Sequence, residues 1–385
     1  MDNQGFWFTS IVSFMVACLF TKEVSSDPCR PVTNAILWCS GKEVDQAFIN
    51  NTLKGLITAD LEEIHITNGS FNELPPNAFS NCSQQSSSKL TKLTKLVLSS
   101  NNITKIHGKT FHCMPNLEKL FLDNNSWQIH KDSHSGYFNN LPKLEELDLT
   151  AALLPMERLH VTHLRYVFEN TNFSKLETLR LGCNGIQFLD EELGKSLCNM
   201  DNLKHINFHG NSLGKLQLTN CFQKSKFLEK IDFSDNVFTY VDQRTMDVLD
   251  TIHSENPDVN LTVNLLNQQW SCDCAIKPFK DWMTTTKVHL MGMGKYRCYD
   301  GANFHKHIIN LSDSEMCGDH VDSSVQAGVV VVIVLLVIIA LVLVGVLIVY
   351  RNRLTSLARG VRKSLVRNSH AQYSSVDKSP LTADA

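Results

Sequence analysis

The sequence predicts an α/β solenoid with parallel strands on its concave face, an irregular or helical convex side, a disulfide-bonded cap at each end, and one transmembrane helix beyond. Three observations predict it. A spacing of aliphatic residues, L-x-x-L-x-L-x-x-N-x-L, can be laid down eight times between Leu61 and Trp270. A C-x-C…C…C cluster, Cys272, Cys274, Cys298 and Cys317, follows the last copy. No charged residue falls between Ser323 and Tyr350.

The spacing is that of a leucine-rich repeat, and it covers residues 61–270. Copies begin at Leu61, Leu93, Leu117, Leu144, Leu176, Leu203 and Leu228; a degenerate eighth carries Val263, Leu265, Gln268 and Trp270. In each copy L-x-L points two alternate side chains of a short strand into a core. One unit cannot bury that face alone, and stacking makes the core continuous. The Asn after the strand (Asn101, Asn125, Asn184, Asn211, Asn236) can bond backbone groups of the turn, which predicts an asparagine ladder. The fourth copy has Ala152 there, and the stretch from Ala151 to Thr171 is expected to bulge irregularly. Asn81 to Lys89 reads as a polar loop inserted in the first copy.

An open solenoid exposes its core at both ends, so caps are required. Residues 27–60 are expected to form the N-terminal cap, where only Cys29 and Cys39 are available to bridge it. Residues 271–318 form the C-terminal cap. Cys82 and Cys113 sit at nearly equal offsets from the starts of neighbouring repeats and can be cross-linked on the convex side; Cys198 and Cys221 are a looser candidate pair. Cys183 is left over beside a strand. It reads first as a buried small hydrophobe, with a free or intermolecular thiol as the alternative.

Two apolar segments frame this region. Phe6 to Phe20, followed by Val24-Ser25-Ser26, reads as a secretory signal over residues 1–26. After a linker at 319–324, residues 325–350 are long enough to cross a ~30 Å hydrocarbon core. The 35 residues that follow, 351–385, hold seven Lys/Arg against Asp377 and Asp384, which marks that side as cytoplasmic. The chain is thus expected to be a single-pass type I plasma-membrane glycoprotein with its N-terminus outside. Eight Asn-x-Ser/Thr sequons, at Asn50, Asn68, Asn81, Asn102, Asn124, Asn172, Asn260 and Asn310, all precede the span. Eleven of the twelve cysteines also lie between the two apolar segments, which suits an oxidising exterior.

No constellation for chemistry emerges. His160-Val-Thr-His163 and His305-Lys-His307 lack carboxylate or thiolate partners nearby, and Gly210 to Lys215 is one residue short of a phosphate loop. No catalytic centre, metal, cofactor, nucleic acid or small-molecule substrate is expected. The outward strand positions, among them Glu63, His65, Lys95, Phe121, Glu146, Asp148, Arg180, His205 and Lys230, are mixed in character. Asn68 and Asn124 occupy the eighth repeat position, and glycans there would cover an edge of the strand face. The partner is therefore expected at the caps or the convex side. In the tail, Leu354, Leu357, Ala358, Val361 and Leu365 fall within about 100° on a helical wheel, fitting either a short helix on the anionic inner leaflet or an unstructured basic block. Tyr373-Ser-Ser-Val376 has the form of a Tyr-x-x-Φ sorting signal.

Leu74-Pro-Pro-Asn-Ala-Phe79, Leu261 to Cys274, Asp281-Trp282-Met283, Tyr296-Arg-Cys298, Ile308-Ile-Asn-Leu311 and Tyr350-Arg-Asn-Arg353 together carry a resemblance. Over the outer region, span and immediate flank, the chain resembles the trophoblast glycoprotein (Wnt-activated inhibitory factor) family of leucine-rich-repeat transmembrane proteins and its paralogues. The resemblance implies the cap pairs Cys272–Cys298 and Cys274–Cys317. It implies an inhibitor or modulator of Wnt/β-catenin signalling, acting through extracellular contacts with co-receptors. The partner-binding positions it implies are Trp38, where the family has a basic residue, and Tyr299 with Asp300, where the family's tyrosine stands at the second of the two. The repeat pattern alone equally permits an innate-immune, Toll-accessory recognition receptor or a cell-adhesion protein.

Overall fold

The structure, a computed structural model, describes residues 28–79, 90–129, 136–153, 161–168, 171, 173–189, 191–216, 218, 222–223, 225–299, 306–317 and 323–373. The signal segment, His160, His305, Asn81, Cys82, Asn172, Cys221, Asp300 and Val376 lie outside the described residues. The chain divides into two units, Met1–Met316 and Cys317–Ala385.

In the first unit, each repeat contributes a short strand that carries the first aliphatic residue of its L-x-L. The eight repeat strands are β3 (Glu63–Thr67), β5 (Lys95–Val97), β7 (Lys119–Phe121), β8 (Glu146–Asp148), β9 (Thr178–Arg180), β10 (His205–Asn207), β11 (Lys230–Asp232) and β12 (Thr262–Asn264). They run parallel in one sheet, in chain order. Two cap strands and a hairpin partner extend that sheet. β2 (Ile36–Ser40) adds in parallel before β3, with β1 (Cys29–Thr33) antiparallel outside it; β14 (His289–Met291) adds in parallel after β12. A short parallel pair, β4 (Glu73–Leu74) with β6 (Lys105–Ile106), lies apart from the sheet, and β13 (Trp270–Ser271), β15 (Arg297–Tyr299) and β16 (Lys306–His307) form a small sheet in the C-terminal cap.

Burial follows the spacing. Ile64, Leu96, Leu120, Leu147, Leu179, Ile206, Ile231 and Val263 are register partners across the eight strands, and all are buried. Each such side chain contributes roughly 1.5–3 kcal/mol on leaving water. A second, aromatic column backs part of the first on the convex side. Phe111 stacks on Phe138 at 5.8 Å, and Phe138 meets Phe173 at 6.1 Å. The spacing of the leucines gives no sign of this column.

The turn after each strand is held by side-chain amides. Asn211 Oδ1 accepts from the Asn184 and Ile186 backbone N–H groups, while its Nδ2 donates to the carbonyls of Leu181 and Phe208. Asn101, Asn125, Asn184 and Asn236 bridge their neighbours in the same way, and Gln268 takes over in the eighth repeat. At Ala152 a backbone carbonyl stands in for the amide, accepting from Trp127 N–H at 2.8 Å.

In the insertion after that turn, expected to bulge irregularly, part of the described chain is regular. Residues Val161–Phe168 form a helix, α1, because Leu164, Val167 and Phe168 recur at helical spacing and are buried. Helix α2 (Glu191–Cys198) and helix α3 (Gln243–Glu255) occupy the convex side of later repeats. α3 starts at Asp242, whose carboxylate accepts from Thr245 N–H at 2.7 Å.

Each cap closes the column with its own bridge. Cys29 is bonded to Cys39 across the β1–β2 hairpin, and Cys272 to Cys298. Cys113, Cys198, Cys274 and Cys317 are also disulfide-bonded. In the C-terminal cap, α4 (Lys277–Thr285) lays Phe279 against Trp270 at 4.8 Å, and Trp282 Nε1 donates to Asp250 of α3 at 2.8 Å. That aromatic plate covers the last repeat.

The described part of the second unit beyond Cys317 is one helix, α5 (Ser323–Tyr373). Its stretch Val331–Arg362 is long and apolar enough to cross a membrane, with a mean hydropathy of 3.8 in its most apolar window. The helix runs without a break through the tail segment for which the sequence leaves two conformations open.

Replacing Asn211 by Ala leaves the buried Asn184 and Ile186 N–H groups without their acceptor, at about 1–3 kcal/mol for each, while the Leu181 and Phe208 carbonyls keep the amides of Asn184 and Asn236. Urea unfolding of the secreted outer region should therefore show a loss on the order of 3 kcal/mol. An unchanged midpoint would mean that the amides do not hold the turns.

Candidate functional site on the concave face

Side chains at alternate strand positions point away from the core, and the parallel register lines them up in rows. One row runs Trp38, His65, Val97, Phe121, Asp148, Arg180, Asn207 and Asp232. Its first four members are aromatic or apolar in character. Trp38 is 42% exposed, a large aromatic side chain left facing solvent. It is nonetheless held in place, stacked on the His65 ring at 5.2 Å with the planes 25° apart. Val97 and Phe121 are half-buried beside it.

Why Trp38 arrives there is a matter of alternation. Leu37 and Cys39 are buried on the core side of β2, which turns Trp38 outward. Period-two alternation in Ile36-Leu37-Trp38-Cys39-Ser40 is the signal that could have placed this strand in the sheet. The cap expected to carry the partner contact and the concave face are thus one continuous surface at this end.

Charges pair between this row and the neighbouring one through Glu63, Lys95, Lys119 and Glu146. His65 Nε2 lies 2.8 Å from Glu63 Oε2, and Lys95 Nζ reaches the same carboxylate at 3.4 Å. The bond from His65 holds the Glu63 carboxyl below its ordinary value; burial pushes the other way, and Lys95 adds a smaller pull downward. Farther along, Glu146 takes Lys119 at 3.6 Å and also Arg180, which reaches Asp148 at 3.5 Å. Beyond Arg180 the face dips into a hollow of about 330 Å³ lined by Thr178, Arg180, His205, Asn207, Lys230 and Asp232. Its polar groups are of both signs. Among the described residues no three His, Cys, Asp or Glu side chains come together as metal ligands.

The other positions singled out by the sequence are dispersed. Tyr299 is 47% exposed but lies on β15, in the cap sheet at the far end from Trp38. Asn50, Asn68, Asn102, Asn124, Asn260 and Asn310 are all exposed. Tyr373 ends α5. Cys183 corrects an expectation: it is exposed and free, not buried. It follows Leu181 and Gly182 at the turn, with φ +55°, and that backbone aims its side chain away from the column.

Residues 59–127 match the family description "Leucine rich repeat". The zebrafish (Danio rerio) protein "Transforming growth factor beta activator LRRC33" is 26% identical over 257 residues, which cover 61% of this chain and 35% of that protein; the chain thus spans about a third of that relative's length. The crystal structure of human 5T4 (Wnt-activated inhibitory factor 1, trophoblast glycoprotein) superposes with a TM-score of 0.62 at 21% identity, covering 77% of this chain and 99% of that one. With the sheet described above, these matches make the fold a leucine-rich-repeat solenoid.

Two measurements test this geometry. Maleimide labelling of the non-reduced protein should fall by one equivalent in Cys183→Ser; labelling equal to the parent's would put that thiol in a bond or in the core. The folded Glu63 value lies below its ordinary 4.5, so its contribution to stability is present above that pH and lost as pH falls through the folded value. Glu63→Gln should flatten the acid side of a melting-temperature profile, and a profile parallel to the parent's would deny the pairing any effect.

Proposed function

We propose that the chain is a non-catalytic glycoprotein of the cell surface, anchored once in the plasma membrane with its N-terminus outside. Its solenoid captures an extracellular protein partner at the N-terminal end of the concave face. That capture restrains Wnt/β-catenin signalling at a co-receptor. The observation that supports the site is Trp38, exposed yet immobilised on His65, with Val97 and Phe121 continuing its row. Tryptophan is among the residues that carry most of the binding energy in protein interfaces, and a preordered ring loses little freedom on binding. The orientation rests on the sequons and bridged cysteines before the span and the arginines after it. The Wnt assignment rests on the family resemblance and on the superposition with human 5T4.

The name of the zebrafish relative favours a second reading, in which the same face serves transforming-growth-factor-β signalling. Reporter assays separate the two. Expression should lower a Wnt reporter, and Trp38→Ala at equal surface level should abolish the effect. Partner capture should weaken ~30-fold or more, the ~2 kcal/mol of a truncated hot-spot aromatic. A transforming-growth-factor-β reporter that responds while the Wnt reporter does not transfers the assignment to the second reading. A fully active Trp38→Ala protein removes this face from the account.

A further inference from the structure

Past Tyr350 the helix α5 changes character without ending. Arg351, Arg353, Arg359 and Arg362 follow the apolar run, Lys363 and Arg367 come next in the sequence, and the first acid is Asp377. Leu354, Leu357 and Val361 are 56%, 64% and 56% exposed. At 100° per residue they share a stripe about 60° wide, while the four arginines occupy the rest of the circumference. Positive charge after a span is explained by topology alone. A continuous aliphatic stripe opposite that charge is not, since a stop-transfer block has no use for one.

We propose that residues 351–367 lie on the membrane that α5 crosses, with the stripe in the acyl boundary and the arginines and lysine on anionic phospholipid headgroups. Charge complementarity selects that occupant: every ionisable side chain from 351 to 367 is basic, and the span delivers the segment to within one or two turns of a lipid surface. A straight helix would carry Arg362 about 16 Å from the interface, roughly two Debye lengths at physiological salt. Lying on the membrane requires the helix to bend near the start of this segment, where two hydroxyls bond its own carbonyls. Thr355 Oγ1 donates to the Asn352 carbonyl at 2.9 Å and Ser356 Oγ to the Arg353 carbonyl at 2.8 Å. Such back-bonds compete with the helical ladder and bend helices. The inference needs α5 to span a membrane but is independent of what the solenoid binds.

The test uses the full chain, as Leu357→Cys in a Cys183→Ser background, labelled with an environment-sensitive fluorophore and reconstituted into vesicles. Flotation in alkaline carbonate reports insertion of the span in every case. In vesicles containing phosphatidylserine, the label should shift to the blue and lose several-fold of its quenching by acrylamide, a neutral quencher. In phosphatidylcholine alone, or at high salt, quenching should return. Arg359→Gln/Arg362→Gln/Lys363→Gln should insert normally and stay quenched in both lipids. Equal quenching of the parent in the two lipids overturns the proposal. So does protection that requires an added soluble protein such as calmodulin rather than the anionic lipid.

Discussion

Everything in the outer unit depends on one turn, repeated. A strand of three residues must reverse out of the sheet at once, or the next repeat cannot stack 4.8 Å away. Residues at the eighth repeat position make that reversal in the left-handed region: Asn68, Ser100, Asn124, Ala151, Cys183, Gly210, Asp235 and Asn267 all have φ between 49° and 66°. Their N–H groups point sideways to the next repeat. Ser100 donates to Asp123 O, Cys183 to His209 O and Asp235 to Leu266 O. In six of the eight repeats the ninth position supplies the amide that satisfies what remains. Removing polar turn groups from water is costly unless every one finds a partner. The ladder is what makes a dry column of leucines compatible with eight tight turns.

That turn also explains what could be read from the sequence and what could not. The strands and the ladder are legible because inward positions are chemically constrained: a large apolar residue at the fourth and sixth, and asparagine at the ninth in five of the eight repeats. The exposure of Cys183 follows from its register and not from its chemistry: it shares the eighth position, at the exposed edge, with Asn68 and Asn124. Helix α1 was missed because an insertion has no template to follow, and its apolar spacing is only eight residues long. The β2 strand was missed because a cap lies outside the repeat.

The outward face is where the sequence says least. A strand buries one side, so selection for folding leaves Trp38, His65, Val97 and Phe121 unconstrained by the core. Their residues come from the cap and three different repeats, spread over more than eighty positions. Only the register Trp38 to His65, His65 to Val97 and Val97 to Phe121 makes them neighbours. The same reasoning separates Trp38 from Tyr299. A family resemblance groups them by role, whereas the fold puts them in different sheets at opposite ends.

Two of the sequons at the edge of this face, Asn68 and Asn124, occupy the left-handed turn position itself, and Asn102 also has a positive φ of 59°. Asparagine is enriched in that region because its short amide tolerates it better than other branched or long side chains do. Structure alone would therefore favour asparagine at these sites, glycan or no glycan. Exchanging Asn68 or Asn124 for glutamine would remove a sequon and strain a turn together, and any change in partner binding would have two causes. Ser70 and Ser126 complete the two sequons, and their backbone N–H groups are bonded to Val44 O and Ile103 O. Serine to alanine at those positions deletes the acceptor sequence while the left-handed asparagine stays. That substitution isolates the sugar from the turn, and with it the question of how much of the Trp38 row is open to a partner.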